Sequence, residues 1–282
     1  MNNSLKIILI VVVLLGIAGT VFYFMRGMDD SGGKIIAQTP FEKIINSQVQ
    51  KKIVGHEYAE AAAGFDAVLN DIDTEASIMN GDGTPQLQQS EAENCRKIAF
   101  FAFEAIFEKM QENYFKRSSW SDTELADIKS QAQRLLDMKI AEGKAYLNLQ
   151  SAVKNVDDYH AAWAAVKSAA HCTTVSAVKA VGNNVDKYNH APLTNNVSLN
   201  EAMQGAYSQA KTSLANNIKA SCRRLAENYY NYPSYYDFYT AYENVIKRIN
   251  NYVEAFGGED MFGDSKSILR EADQLAMDYY DY

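Results

Sequence analysis

Proline is scarce in this chain, four residues in 282, and no alternating apolar and polar runs bounded by turns occur. That scarcity argues against a β-sandwich or barrel, which needs frequent turns. Cysteine is scarcer still: Cys95, Cys172 and Cys222 are too few and too far apart for a disulfide framework. They read as three small buried residues, with one oxidised pair outside the cell as the alternative. Histidine numbers four and forms no His-Glu-x-x-His pair. There is no Gly-x-Ser-x-Gly elbow, phosphate loop or dinucleotide fingerprint, so neither an enzyme nor a cofactor is expected. Positive charge is also in deficit. The net charge of −8 becomes −10 once Lys6 and Arg26, the two basic residues before position 27, are set aside. Such a surface argues against nucleic acid and an anionic lipid face as partners.

The chain does have one long apolar run. Ile7 to Met25 is uncharged, dominated by Ile, Leu, Val and Phe, and interrupted only by Gly16, Gly19 and Thr20. As a helix it would rise roughly 28 Å, enough to cross a bilayer core, with an insertion free energy on the order of −6 kcal/mol. Phe22, Tyr23 and Phe24 would form its interfacial belt. A cleaved signal peptide with Ile7 to Leu15 as its apolar region is the rival reading, but the run continues past Gly16 and Ala18, where the cut would fall. The expectation is a single-pass anchor over 7–25, preceded by a leader over 1–6 and followed by a Gly-containing stalk over 26–38. Lys/Arg counts on the two sides do not orient it. The short, weakly charged leader and Asp29 and Asp30 beyond Arg26 favour placing the remainder on the periplasmic or extracellular side.

Residues 39–256 read as an all-α domain, an elongated helical bundle or tandem helical hairpins, with possible sub-units 39–116 and 121–256. Thr39, Pro40 and Glu42 form a capping box with proline at the first helical position. The pattern stays helical to about Met79, with Gly55 and Gly64 as weak points and Tyr58, Ala61, Ala62, Phe65, Val68, Leu69 and Ile72 as the core stripe. A turn over Asn80 to Pro85 leads to a helix over about 90–116. Its middle, Ile98 to Phe107, is apolar on nearly every side except Glu104, which predicts the central helix. Ser121 with Glu124 opens a helix to about Val153, and a further helix is expected over 157–181. Gly182 to Asn196 reads as an Asn-rich connection. Ser198 with Glu201 begins a long helix to Tyr232, Pro233 breaks it, and Ser234 with Asp237 caps the next, which stops at Gly257 and Gly258. An acidic, Tyr-rich segment, 257–282, closes the chain.

An internal echo runs through this region. Ser130-Gln131-Ala132 recurs as Ser208-Gln209-Ala210, and Asp158, Tyr159, Ala162, Trp163 and Val166 recur as Asp237, Phe238, Ala241, Tyr242 and Val245. The offsets suit a duplicated helix pair.

Several clusters invite chemistry. Asp71, Asp73, Glu75, Ile78 and Asp82 fall on the ligand spacing of a calcium loop, but Ala76 stands where its turn glycine belongs and Asp82 where its final glutamate belongs. His56 with Glu60, and Glu104, Glu108 and Glu112, could each be half of a metal site; carboxylates one turn apart are ordinarily a solvated face. His171 beside Cys172 is a poor nucleophile pair, since helical neighbours diverge by about 100°. No metal ligand is therefore assigned. The most unusual composition is the crowd Tyr229, Tyr230, Tyr232, Tyr235, Tyr236, Tyr239 and Tyr242 around Pro233, with Tyr279, Tyr280 and Tyr282 at the end. Tyrosine offers a rigid apolar body with a polar tip, suited to wet helix packing or to recognition of a partner.

The Ala61 to Phe65 spacing and the helical hairpins resemble tetratricopeptide-type repeats, without that family's period or its tryptophan, glycine and proline landmarks. Ala161-Ala162-Trp163 with Val166, and Ala226-Glu227-Asn228-Tyr229 followed by Phe238, resemble LemA-type single-pass helical proteins, a likeness that departs between anchor and tryptophan. The expectation for function is a membrane-anchored, non-enzymatic interaction or scaffold module. It would meet the lipid bilayer through Ile7–Met25 and a protein partner through its Tyr-rich face, with a homo-oligomer through the anchor or the bundle as the other expected contact. A ligand-binding or sensory domain is the alternative, and an enzyme with a scattered site is the third reading.

Overall fold

The computed structural model describes residues 39–281. The expected leader, the Ile7–Met25 anchor and the stalk lie outside the described residues, as does Tyr282. The described residues are almost wholly helical, and the only bridge among them is an isolated antiparallel pair, Met79 with Pro85. No helix among them is long and apolar enough to cross a membrane.

The Thr39 hydroxyl accepts from the Glu42 amide at 3.2 Å, and the Glu42 carboxylate accepts from the Thr39 amide at 3.0 Å. This box opens α1 (Pro40–Lys43), which runs through a π-helical stretch (Ile44–Val49) into α2 (Gln50–Lys52). The wider turn lets the adjacent Ile44 and Ile45 both face inward above Val49 and Ile53. The expected continuous helix to Met79 is instead broken at Ile53–Glu57, where Gly55 takes a φ of 83°. The chain reverses there into α3 (Tyr58–Ser77). Gly64 is no weak point. A Cβ there would lie 1.9 Å from the Lys52 carbonyl oxygen, so glycine is what lets the end of α2 cross α3.

Beyond the turn at Asn80–Pro85, Gln88 and Glu91 cap α4 (Gln89–Phe115). Phe100, Phe103 and Phe107 are buried, and Phe103 stacks on Phe65 of α3 at 4.8 Å. The far side of α4 is wet, with Phe101 and Ala105 exposed, so the expectation that α4 is the central helix is corrected. Ser121 caps α5 (Asp122–Asp137). That helix does not reach Val153: Lys139 takes a left-handed φ of 57°, the chain turns, and α6 (Gly143–Ala169) runs unbroken through the expected gap near 154–156. Thr174 caps α7 (Val175–Tyr188), which contains Gly182; the expected connection thus begins only at Asn189.

Asn196, with Oδ1 accepting from the Leu199 amide at 2.8 Å, opens α8 (Val197–Glu227). A short 3-10 turn (Tyr229–Asn231) and Pro233 lead to the Ser234 cap of α9 (Tyr235–Phe256). Gly257 and Gly258, both at positive φ, end α9 before α10 (Gly263–Tyr280).

Apolar burial falls into two cores. One gathers the first helix, α3, α4, α5, most of α6 and the start of α8 around Phe65, Phe100, Phe103, Leu135, Leu149 and Leu199. The other gathers the end of α6, α7, the rest of α8, α9 and α10 around Leu214, Ile218, Phe238, Ile249, Phe262 and Leu269. The long helices α6 and α8 pass from one core into the other and are the true centre of the bundle.

Candidate functional site

The tyrosine crowd forms at one end of the second core. There the 3-10 turn, the first turns of α9 and the last turns of α10 meet. Ser234 starts α9 by accepting from the Asp237 amide at 3.2 Å, which aims Phe238 inward, fully buried. Around that anchor four of the seven rings are half-buried packing residues: Tyr229, Tyr232, Tyr235 and Tyr242. Tyr232 meets Phe238 edge-on at 5.7 Å, and the Tyr235 hydroxyl donates to Asp273 of α10 at 2.9 Å. Burial, followed by that bond to a carboxylate, raises the Tyr235 phenol to about 12. Tyr280 ties the far end down, its hydroxyl donating to the carbonyl of Tyr232 at 2.6 Å, with that of Tyr229 at 3.0 Å.

The other three rings point outward. Tyr236 is 77% exposed, Tyr230 51% and Tyr239 38%. Tyr239 stacks between two packing rings, Tyr235 at 5.9 Å and Tyr242 at 5.8 Å, so its position is fixed although its face is open. Two residues of α10 extend this surface: Tyr279 is 53% exposed and meets Tyr229 edge-on at 6.0 Å, and Leu275, one turn before it, is 49% exposed. Leu275 was not singled out from the sequence, where an isolated leucine in an acidic helix carries no signal.

The remaining sequence candidates dissolve into structural pairs. Asp71, Asp73 and Glu75 do not form a loop. They lie on α3, where Asp71 meets Lys52 at 3.0 Å, Asp73 meets Arg96 at 2.6 Å and Glu75 meets Lys43 at 3.2 Å. His56 accepts or donates between Glu60 at 3.0 Å and the Lys51 carbonyl at 2.8 Å; these partners hold its imidazolium above the usual range. Glu108 is shared by Asn148 at 2.7 Å and Lys144 at 3.5 Å, and Glu104 is buried. Cys172 is buried with its thiol toward the Ser168 carbonyl, whereas the adjacent His171 is exposed. All three cysteines are buried and unpaired, and burial pushes each thiol up.

A second concavity went unread in the sequence. A cleft of about 640 Å³ lies between the start of α3, the second half of α4 and the start of α5. Lys109 and Asn113 line it at successive turns of α4, with Arg117 just past the end of that helix, over a floor that includes Ile106, Met110 and Tyr114. On the opposite wall the Tyr58 hydroxyl donates to Asp127 at 2.7 Å. At the end, Arg117 pairs with Glu124 at 3.0 Å and lies 5.3 Å over the Tyr114 ring. The Ser121 hydroxyl, then Arg117, hold the Glu124 carboxyl below its usual range. The four-residue spacing along α4 was the one available signal, and it is equally that of any wet helix face.

No family model matches the chain, and no curated protein or solved structure is significantly similar to it.

Proposed function

We propose that this chain is a membrane-anchored, non-enzymatic helical interaction module whose Tyr-rich end is presented to a protein partner. One observation carries the reading: Tyr230, Tyr236, Tyr239, Tyr279 and Leu275 stand open at one end of the bundle while Phe238 and the four half-buried tyrosines hold that end rigid. Exposed aromatic rings on a fixed support lose little entropy when a partner covers them, which is why such residues dominate binding energetics. The tether in this reading is the uncharged run Ile7 to Met25, with the bundle outside the cell or in the periplasm.

The test is partner recovery by cross-linking on membranes. Changing Tyr230, Tyr236 and Tyr239 to alanine should abolish the cross-linked partner while the melting temperature falls by no more than about 6 °C, since each solvent-exposed substitution ordinarily changes stability by under about 0.5 kcal/mol. Unchanged cross-linking sinks the reading, and release of the chain by carbonate removes its membrane setting.

The cleft beside α4 favours a second reading, a ligand-binding domain, because it combines an apolar floor with polar groups on three sides. A small molecule that raises the melting temperature, with the shift lost in Asn113→Leu, would support it.

A further inference from the structure

We infer that the partner of the Tyr-rich end is a basic segment, a peptide or loop bearing several arginine or lysine side chains. The inference rests on the proposed interaction module and adds the chemistry of what it binds.

Two stretches build this end of the bundle, 225–243 and 271–281. Together they hold nine tyrosines and seven acids, Glu227, Asp237, Glu243, Glu271, Asp273, Asp278 and Asp281, and not one lysine, arginine or histidine. Basic residues resume at Arg224 and at Arg270, and the Arg270 charge reaches Tyr242 at the edge of this surface. The fold joins the two stretches: Tyr280 reaches the carbonyls of Tyr229 and Tyr232, Tyr229 meets Tyr279, and Tyr235 meets Asp273. A charge imbalance split in sequence thus becomes one surface in space.

The acids are not consumed internally. Along α3, by contrast, Asp71, Asp73 and Glu75 each have a cation. None of the seven acids forms an ion pair among the described residues. Asp273 accepts from Tyr235, Asp278 from Gln274 and Asp237 from Ser234, bonds that fix the carboxylates without neutralising them.

A negative field around open tyrosine faces selects cations. The ring face attracts a guanidinium or ammonium through its quadrupole, and the carboxylates add long-range attraction that speeds encounter. An acidic partner would be repelled, and an uncharged apolar one would have to desolvate the neighbouring carboxylates without compensation. A second copy of the chain fails for the same reason, since an isologous contact would oppose like charges.

The probe is a fluorescein-labelled peptide of alternating arginine and glycine, titrated into the full chain and compared with its citrulline counterpart, which keeps shape and loses charge. The arginine peptide should bind, the citrulline peptide at least about tenfold more weakly, and 1 M salt should suppress binding as the screening length falls to about 3 Å. Tyr236→Ala with Tyr239→Ala should weaken binding about tenfold, the sum of two exposed cation–π contacts. Asp237→Asn with Asp278→Asn and Asp281→Asn should weaken it comparably. Equal binding of the two peptides, or salt-independent binding, overturns the inference. So does concentration-dependent self-association, abolished by the tyrosine variants. If a cross-linked partner depends on the tyrosines while the asparagine variants leave it untouched, the basic-segment inference falls and the interaction module stands; if neither set matters, both fall.

Discussion

Gly64 lies in the second turn of α3, where helix propensity alone says that alanine should be better by about 1 kcal/mol. The structure reverses that sign. An alanine Cβ would sit 1.9 Å from the Lys52 carbonyl oxygen and 2.6 Å from its carbon, against a floor near 3.0 Å for real contacts. The obstacle is backbone, so no rotamer change relieves it; the end of α2 must retreat from α3 by about 1.1 Å. That retreat would loosen Ile53 and Val49, both fully buried, and strain the Lys52 to Asp71 ion pair. Overpacking of this kind costs about 1–3 kcal/mol beyond the propensity gain. For a chain of this size Gly64→Ala should therefore lower the melting temperature by about 2–12 °C. Gly205, in α8, is the control: nothing lies within 4 Å of its virtual Cβ, and Gly205→Ala should raise the melting temperature by about 2–4 °C. Gly182 falls between, 3.0 Å from the Tyr207 ring, which can swing aside, so its alanine should be close to neutral. Circular dichroism melts of the three variants decide the matter. If Gly64→Ala stabilises like Gly205→Ala, the close crossing of α2 over α3 is wrong.

Three further outcomes are expected. Phe238→Ala removes a fully buried ring from the second core and should cost about 3–5 kcal/mol in denaturant unfolding; a loss below about 1 kcal/mol would mean that the Tyr-rich end is not anchored there. Burial, then bonds to Asp127 and Asp273, raise Tyr58 and Tyr235 above the ordinary 10.0, Tyr235 to about 12. Above pH 10 the unfolded chain therefore binds fewer protons than the folded one, so stability is complete below pH 10 and falls toward pH 12. Tyr58→Phe with Tyr235→Phe should flatten that fall in pH-dependent melts, and an unchanged slope would refute the assignment. Burial raises Cys95 to about 11 and also lifts Cys172 and Cys222. Ellman's reagent at pH 8 should label almost none of the native thiol and all three thiols after denaturation, whereas fast native labelling would contradict their burial.

The local punctuation of the fold was legible because it depends on neighbours in sequence. The box at Thr39, the Ser121 and Ser234 caps and the Gly257 stop each need only a side chain and an amide a few residues away; the expected box at Ser121 is only a cap, its own amide donating to the Tyr114 hydroxyl. Breaks imposed by tertiary packing were not legible. Met138 to Glu142 contains neither proline nor asparagine, yet the chain turns there so that Leu135 and Leu149 can enter one core from antiparallel helices. Glycine was an uneven guide: Gly55 marks a real break, but Gly64 and Gly182 sit inside helices, approached by a carbonyl and a ring, facts that no local window contains. The same limit applies to the site. The tyrosine crowd announced itself by composition, but its division into rings that pack and rings that face water depends on α10, some forty residues onward. The cleft along α4 needed α3 and α5 to exist before Lys109, Asn113 and Arg117 could be seen as one wall.

The internal echo is sharpened by this contrast between local pattern and environment. Its two halves fall on successive hairpins, α5 with α6 and α8 with α9. Ala132 and Ala210 are both buried, as are Tyr159 and Phe238, so the small and aromatic positions seat helices alike in both. Asp158 and Asp237 do not correspond in role. Asp158 is buried beside Lys154 and His190 in the middle of α6, whereas Asp237 is exposed in the first turn of α9, bonded to its cap. Trp163 faces the first core and Tyr242 the second. What recurs is therefore the part of the pattern that helix packing itself demands, a small residue beside an aromatic and an aliphatic further along. The acidic position is not part of that demand: it is a buried ion-pair partner in α6 and a solvated residue of the cap turn in α9. A duplicated function would have kept that acid in one setting; a duplicated way of seating helices has no need to.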